Sequence, residues 1–208
     1  MKPNVDYSLY LCTDRGLMSC KTIEESVEQS IAGGVTIVQL REKDCSTREF
    51  YELAKRVQQI TRPNRIPLII NDRIDIAMAI GAEGIHIGQS DMPATIARKI
   101  VGPDMIIGVS ASNYREAKQA VQDGADYLGV GAMFATGTKT DAIITPFDDL
   151  RQIRKDFDIP VVVIGGINER TIPQFADMGI NGYAVVSAIV AQPDIKKAAV
   201  NLRNIIQK

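Results

Sequence analysis

Eight short apolar runs, separated by stretches of helical spacing, constrain this chain more than any other feature. The runs are 7–13, 35–40, 67–70, 84–87, 105–109, 126–130, 160–164 and 181–186. They are rich in β-branched residues and apolar on both parities, the pattern of strands covered on both faces. Every run but the last leads into a helix-like segment opening on a capping residue, with apolar spacing such as Ile23, Val27, Ile31 or Phe50, Leu53, Ala54, Val57. The clearest starts are the pairs Thr22 with Glu25, Ser46 with Glu49 and Asn113 with Glu116, where a side-chain oxygen and a carboxylate three residues on satisfy the first helical N–H groups. A last helix is predicted over 193–206, giving eight of each element.

Gly33-Gly34, Gly81, Gly124 and Gly179 each stand just ahead of an even-numbered run, where glycine suits a left-handed helix stop. Their recurrence suggests a repeated βαβα unit. Strands and helices alternating through right-handed crossovers form an open doubly wound sheet or a closed barrel. Eight full units favour the α/β class and a (β/α)8 TIM barrel, and 208 residues is near the lower size limit of that fold, so a single barrel domain over residues 1–208 is expected.

The balance of 24 Lys and Arg against 25 Asp and Glu, with no basic run or interleaved aromatic stripe, argues against nucleic acid and anionic membrane as partners. No apolar run approaches membrane-spanning length, so a cytoplasmic protein is expected. Cys12, Cys20 and Cys45 form no close pair and read as reduced thiols, not a zinc site.

In such a barrel the active site is built from the loops after the strands, so the run ends carry the functional question. After the second run, alternation puts Gln39, Arg41 and Lys43 on one side and Leu40 and Glu42 on the other. An amide, a guanidinium and an ammonium then converge on one ligand, or form a rim paired with Glu42 or Asp44. Asn71-Asp72 follows the third run and Gln89-Ser90-Asp91 the fourth. The two carboxylates can share Mg2+, which takes one or two carboxylates plus phosphates and water, or each can cap its helix. Ser110-Ala111-Ser112 follows the fifth run. After the sixth, 131–141 joins hydroxyls, a glycine and a lysine in a long loop suited to wrapping a phosphate and to closing over it. Gly165-Gly166 and Val186-Ser187 end the last two runs, where this fold commonly binds phosphate. His86, the only histidine, lies inside the fourth run on a parity different from Gln89 and Asp91, which favours a packed, hydrogen-bonded role over proton transfer.

Taken in order, Val38-Gln39-Leu40-Arg41-Glu42-Lys43, Asn71-Asp72-Arg73-Ile74-Asp75, Gly84-Ile85-His86-Ile87-Gly88-Gln89-Ser90-Asp91, Ile107-Gly108-Val109-Ser110, Thr136-Gly137-Thr138-Lys139 and Ile164-Gly165-Gly166-Ile167 make the chain resemble the thiamine phosphate synthases over nearly its whole length. The resemblance implies a transferase that joins hydroxymethylpyrimidine diphosphate to a thiazole phosphate, with Mg2+ as cofactor. It implies Asp72 and Asp91 as metal ligands. It assigns Arg41, Lys43, Asn71, Ser110 and Lys139 to the diphosphate and Gln39 to the pyrimidine. Thr136, Thr138, Gly166 and the Val186-Ser187 backbone would take the thiazole phosphate.

The expected partners are these two small molecules, and a homo-oligomer is compatible with the chain. Ser112 stands where the family often has His, and Ala135 where it often has Pro. The alternatives are a thiazole tautomerase on the same barrel, which needs no diphosphate clamp, and a non-catalytic sensor of a phosphorylated thiamine precursor.

Overall fold

The computed structural model describes residues 2, 4–137 and 143–207. Eight strands, β1 (Leu9–Cys12), β2 (Ile37–Leu40), β3 (Leu68–Asn71), β4 (Gly84–Ile87), β5 (Ile106–Ala111), β6 (Tyr127–Val130), β7 (Val161–Val163) and β8 (Gly182–Val185), run parallel in sequence order. The sheet closes through β1 and β8, where Leu9 pairs with Tyr183 and Leu11 with Val185. Closure leaves no free edge, so every strand is flanked on both sides as well as covered on both faces.

Apolarity on both parities has two destinations. One parity, including Leu11, Val38, Leu40, Leu68, Ile70, Ile85, Val109, Val130 and Val163, points outward and packs against Val27, Phe50, Leu53, Val57, Ala97, Leu150 and Leu202 of the helices. The other, Tyr10, Cys12, Ile37, Ile69, Ile106, Tyr127, Val162 and Ala184, fills the barrel. The three cysteines are free thiols, with Cys12 buried among this inner set.

The helices are α1 (Ile23–Ala32), α2 (Thr47–Thr61), α3 (Ile74–Ile80), α4 (Ala94–Val101), α5 (Tyr114–Gln122), α6 (Phe147–Asp156), α7 (Ser187–Val190) and α8 (Ile195–Ile206). The three predicted caps form: Thr22, Ser46 and Asn113 accept from the backbone N–H of Glu25, Glu49 and Glu116, and Ser46 with Glu49 completes a reciprocal box. Gly34, Gly81, Gly124 and Gly179 all take positive φ.

The expectation of one capped helix after each of the first seven strands needs correction. After β7 the chain makes only a 3-10 turn, Ile172–Phe175, with no side-chain cap. The chain leaves helical geometry at Ala176, with ψ of 139°, and Asp177 takes a φ of +64°. Two helices then follow β8, the short α7 and the capped α8, so the total of eight is reached with a different distribution. Helices α3, α4 and α6 also start without a side-chain cap, at Arg73, Pro93 and Pro146.

Candidate active site at the barrel mouth

Past the end of β2 the chain keeps the predicted split. Lys43 crosses to β3 and pairs with the Asp72 carboxylate, while Glu42 points away and accepts from Arg15 at 3.0 Å. Arg41 is held at its backbone, where its N–H donates to Thr13 Oγ1 at 3.0 Å, and its guanidinium lies 3.7 Å from Asp14. The rim alternative, with Lys43 paired to Glu42 or Asp44, is not the arrangement found.

Asp72 follows β3 with φ of +61°, in the left-handed region that Asp and Asn tolerate better than other side chains. Its N–H donates to the His86 carbonyl at 2.8 Å, which fastens this turn to β4. On β4's own loop the Asp91 carboxylate accepts from the Gly88 N–H at 2.7 Å. Neither aspartate caps a helix.

Burial pushes the Asp91 carboxyl above its ordinary value; the Gly88 N–H and Lys43 pull it down, while the adjacent Asp72 adds to the rise by hydrogen bonding and repulsion. Two carboxylates from neighbouring strand ends thus come together, with the Lys43 ammonium paired to one of them. Among the described residues no cluster of three or more His, Cys, Asp or Glu forms, so a cation here would draw its remaining ligands from substrate or water. The donor set is hard oxygen only, which suits Mg2+ and not a softer ion.

Gln39, Asn71 and Ser110 share the inner face with the barrel core, two residues or four above Ile37, Ile69 and Ile106. Gln39 and Asn71 are buried, and Ser110 is half-buried. His86 lies on this face as well, directly beside Asn71 in the β3–β4 register. Its packed, hydrogen-bonded role is borne out, but the parity argument behind it needs correction: β4 ends at Ile87, and the turn at Gly88 resets the alternation before Gln89 and Asp91. The ring is fixed at both nitrogens, 2.8 Å from Tyr127 OH and 2.9 Å from Ser110 Oγ, and burial pushes it down to about 4, against a small opposing pull from Asp91.

On the opposite rim, loop six docks on the end of β7. The Met133 and Phe134 N–H groups donate to Ile164 and Gly165 carbonyls at 2.9 and 3.1 Å. Gly165 and Gly166 take φ of +91° and +67°, and an added Cβ would stand 2.5 Å from Ala132 Cβ or 2.7 Å from Phe134 Cβ. Close approach of two backbones requires glycine here. The Gly166 carbonyl is turned toward Asn168 Nδ2 and Thr171 Oγ1, each 3.0 Å away. Thr136 follows on loop six, and Val186 and Ser187 lie at the start of α7. Thr138 and Lys139, and the middle of the loop expected to close over substrate, lie outside the described residues.

Sequence reasoning missed Thr13, Tyr10, Tyr127 and the Gln89 amide, which donates to the Ser110 carbonyl at 2.7 Å. The available signal was a tyrosine within the first and the sixth runs, Tyr10 and Tyr127, since a buried phenol needs a partner.

Among the described residues no helix is long and apolar enough to cross a membrane. The family model described as thiamine monophosphate synthase matches residues 9–189. A thiamine-phosphate synthase of Clostridium beijerinckii is 57% identical over 204 residues, covering 98% of each chain. One of Clostridium botulinum is 58% identical over 208 residues, covering 100% of this chain and 98% of its own. A solved structure of thiamine phosphate pyrophosphorylase from Pyrococcus furiosus superposes with a TM-score of 0.90 at 40% identity, over 97% of this chain and 96% of that one.

Proposed function

The chain belongs to the thiamine monophosphate synthase family of transferases, and from that footing we propose that it joins hydroxymethylpyrimidine diphosphate to a thiazole phosphate, releasing pyrophosphate, with Mg2+ held by Asp72 and Asp91. One observation supports the metal assignment above the rest: the two aspartates meet beside Lys43 at the mouth instead of capping α3 and α4. Mg2+ bound there would neutralise charge on the diphosphate.

The protein's own groups account for the remaining chemistry. The bond between the pyrimidine methylene carbon and the diphosphate oxygen breaks, and its electron pair leaves with the diphosphate. Lys43, Arg41, Asn71 and Ser110, with Lys139 from loop six, donate to oxygens on which negative charge grows. The electron-rich aminopyrimidine supports the positive methylene left behind, so no protein nucleophile is required. Gln39 holds the pyrimidine from within the barrel. Thr136, Gly166, Val186 and Ser187 hold the thiazole phosphate on the far rim, with Thr138 assigned to the same phosphate, so that the thiazole nitrogen faces the methylene carbon. Much of the rate then comes from orientation of two rings held across one mouth.

Pyrophosphate release from the pyrimidine diphosphate, with the thiazole phosphate and Mg2+ each present or omitted, tests this reading. Release that requires both is the expected result. Binding of the thiazole phosphate without any release would overturn it.

A further inference from the structure

A single line of hydrogen bonds runs through the barrel interior and ends on two groups assigned to different parts of one substrate. Gln39 Nε2 lies 2.9 Å from Tyr10 OH, and Tyr10 OH lies 2.7 Å from Tyr127 OH. Tyr127 OH continues to His86 Nδ1 at 2.8 Å, and His86 Nε2 reaches Ser110 Oγ at 2.9 Å. The five residues come from β2, β1, β6, β4 and β5, and all but Ser110 are buried. His86 sits between two hydroxyls with no carboxylate on its ring nitrogens, so its ring is neutral.

A hydroxyl has one proton to give and a neutral imidazole one N–H, so the direction of each link dictates the next. Only two arrangements satisfy all four links and leave neither buried phenol with an unpaired O–H. In the first, the Gln39 amide donates to Tyr10, Tyr10 to Tyr127, Tyr127 to His86 Nδ1, and His86 Nε2–H to Ser110. The Ser110 hydroxyl is then free to donate into the mouth, and Gln39 presents its Oε1. In the second, every direction reverses: Ser110 donates to His86, and Gln39, with its amide turned over, presents its NH2.

An ionised diphosphate oxygen only accepts, so Ser110 can serve it only in the first arrangement. The same arrangement leaves Gln39 as an acceptor, the partner that the exocyclic amine of an aminopyrimidine needs. The second would set donor against donor at the amine and lone pair against lone pair at the diphosphate.

We propose that Tyr10, Tyr127 and His86 form a positioning relay that ties the hydrogen polarity of Ser110 to that of Gln39, so that an oxyanion at one end sets the other to accept from the pyrimidine amine. The inference rests on the assignment of Gln39 and Ser110 made above. Its consequence is that the two halves of the pyrimidine substrate are recognised jointly through the barrel core.

His86 is the only histidine in the chain, so the ring 15N resonances of histidine-labelled protein report one residue. With pyrophosphate and Mg2+ bound, the spectrum should show the Nε2–H tautomer. The diphosphate-free hydroxymethylpyrimidine should bind about fivefold or more tightly with pyrophosphate present than without. Tyr10→Phe should abolish that enhancement while leaving the affinity for pyrophosphate alone unchanged. An Nδ1–H tautomer or an imidazolium in the wild-type complex would overturn the relay, as would an enhancement that survives in Tyr10→Phe. The wild-type spectrum decides the matter if that variant does not fold. Pyrophosphate that fails to bind at all would overturn the assignment of Ser110 itself, whereas binding with the wrong tautomer sinks the relay alone.

Discussion

Asp72 combines a backbone demand with a charge demand, and the two can be separated. Its φ of +61° costs an ordinary L-residue about 1 kcal/mol, which Asn escapes more readily than Ala because its short polar side chain bonds locally. Asp72→Asn should therefore keep the wild-type urea midpoint, and Asp72→Ala should lose about 1 kcal/mol. Turnover should fall at least about tenfold in both, since each removes the negative charge assigned to the metal. Full turnover in the folded Asn variant would end that assignment. His86 makes the second prediction at this scale. Its ring is pushed down to about 4 by burial, from an ordinary value of 6.5. Above 6.5 both folded and unfolded chains carry it neutral, and it contributes no pH dependence. As pH falls below 6.5 the unfolded chain takes up a proton that the folded chain refuses until about 4, so stability declines across that window. Urea unfolding of the wild type and of His86→Asn, compared from about pH 7 to about pH 5, should show the steeper decline in the wild type; parallel curves would mean the ring is charged in the fold.

At the scale of elements, the features legible in the chain are local and the hidden ones are not. The caps at Thr22, Ser46 and Asn113 and the left-handed glycines act within one turn of chain, so their residue types announce them. The shortened element after β7 was harder to foresee, because Pro173 is acceptable at a helix start and gives no sign of how few turns the helix will have. The face of His86 was unreadable for a related reason, since parity carries no further than the strand, and the strand end at Ile87 is set by pairing with β5. Most of the candidate site was legible because strand ends in this fold point to one place, whereas the tyrosines that support it lie 117 residues apart and meet only across the closed sheet. The contact of loop six with β7 yields a prediction that belongs to both elements. Gly165→Ala must adopt positive φ and place a Cβ 2.5 Å from that of Ala132, so it should cost about 2–4 kcal/mol and raise the KM for the thiazole phosphate. Gly81→Ala is the control, because it sits in the left-handed region with φ of +61° and an added Cβ would meet only Arg62 Nη2 at 3.8 Å, so it should cost about 1 kcal/mol with KM unchanged. Equal losses in the two variants would show that the close approach of loop six contributes little.

For the molecule as a whole, a barrel of eight short strands must be filled to native density, and this one sets two phenols and an imidazole among the aliphatic side chains Ile37, Ile69, Ile106 and Val162. Room for them comes from glycines on β5 and β6. In the β5–β6 register Gly108 stands opposite Tyr127, and a Cβ there would lie 2.1 Å from the ring's Cζ. Gly129 does the same for His86, whose Cε1 would be 2.9 Å from an added Cβ. Ring and glycine thus form one packing unit split between strands, which ties the size of the core to the hydrogen-bond line that ends on Gln39 and Ser110. Gly108→Ala should accordingly destabilise by about 3 kcal/mol, at the upper end for a single added methyl in a packed core. Trimming the ring should return part of that loss: in the pair Gly108→Ala with Tyr127→Leu, the double variant should be more stable than the sum of the singles by about 1–3 kcal/mol. The rescued barrel should unfold cooperatively yet turn over poorly, because the phenol that joins Tyr10 to His86 is gone. Additive losses in urea would mean that the interior has slack at Gly108. Full turnover in the rescued variant would mean that the barrel needs the volume of Tyr127 and not its hydroxyl.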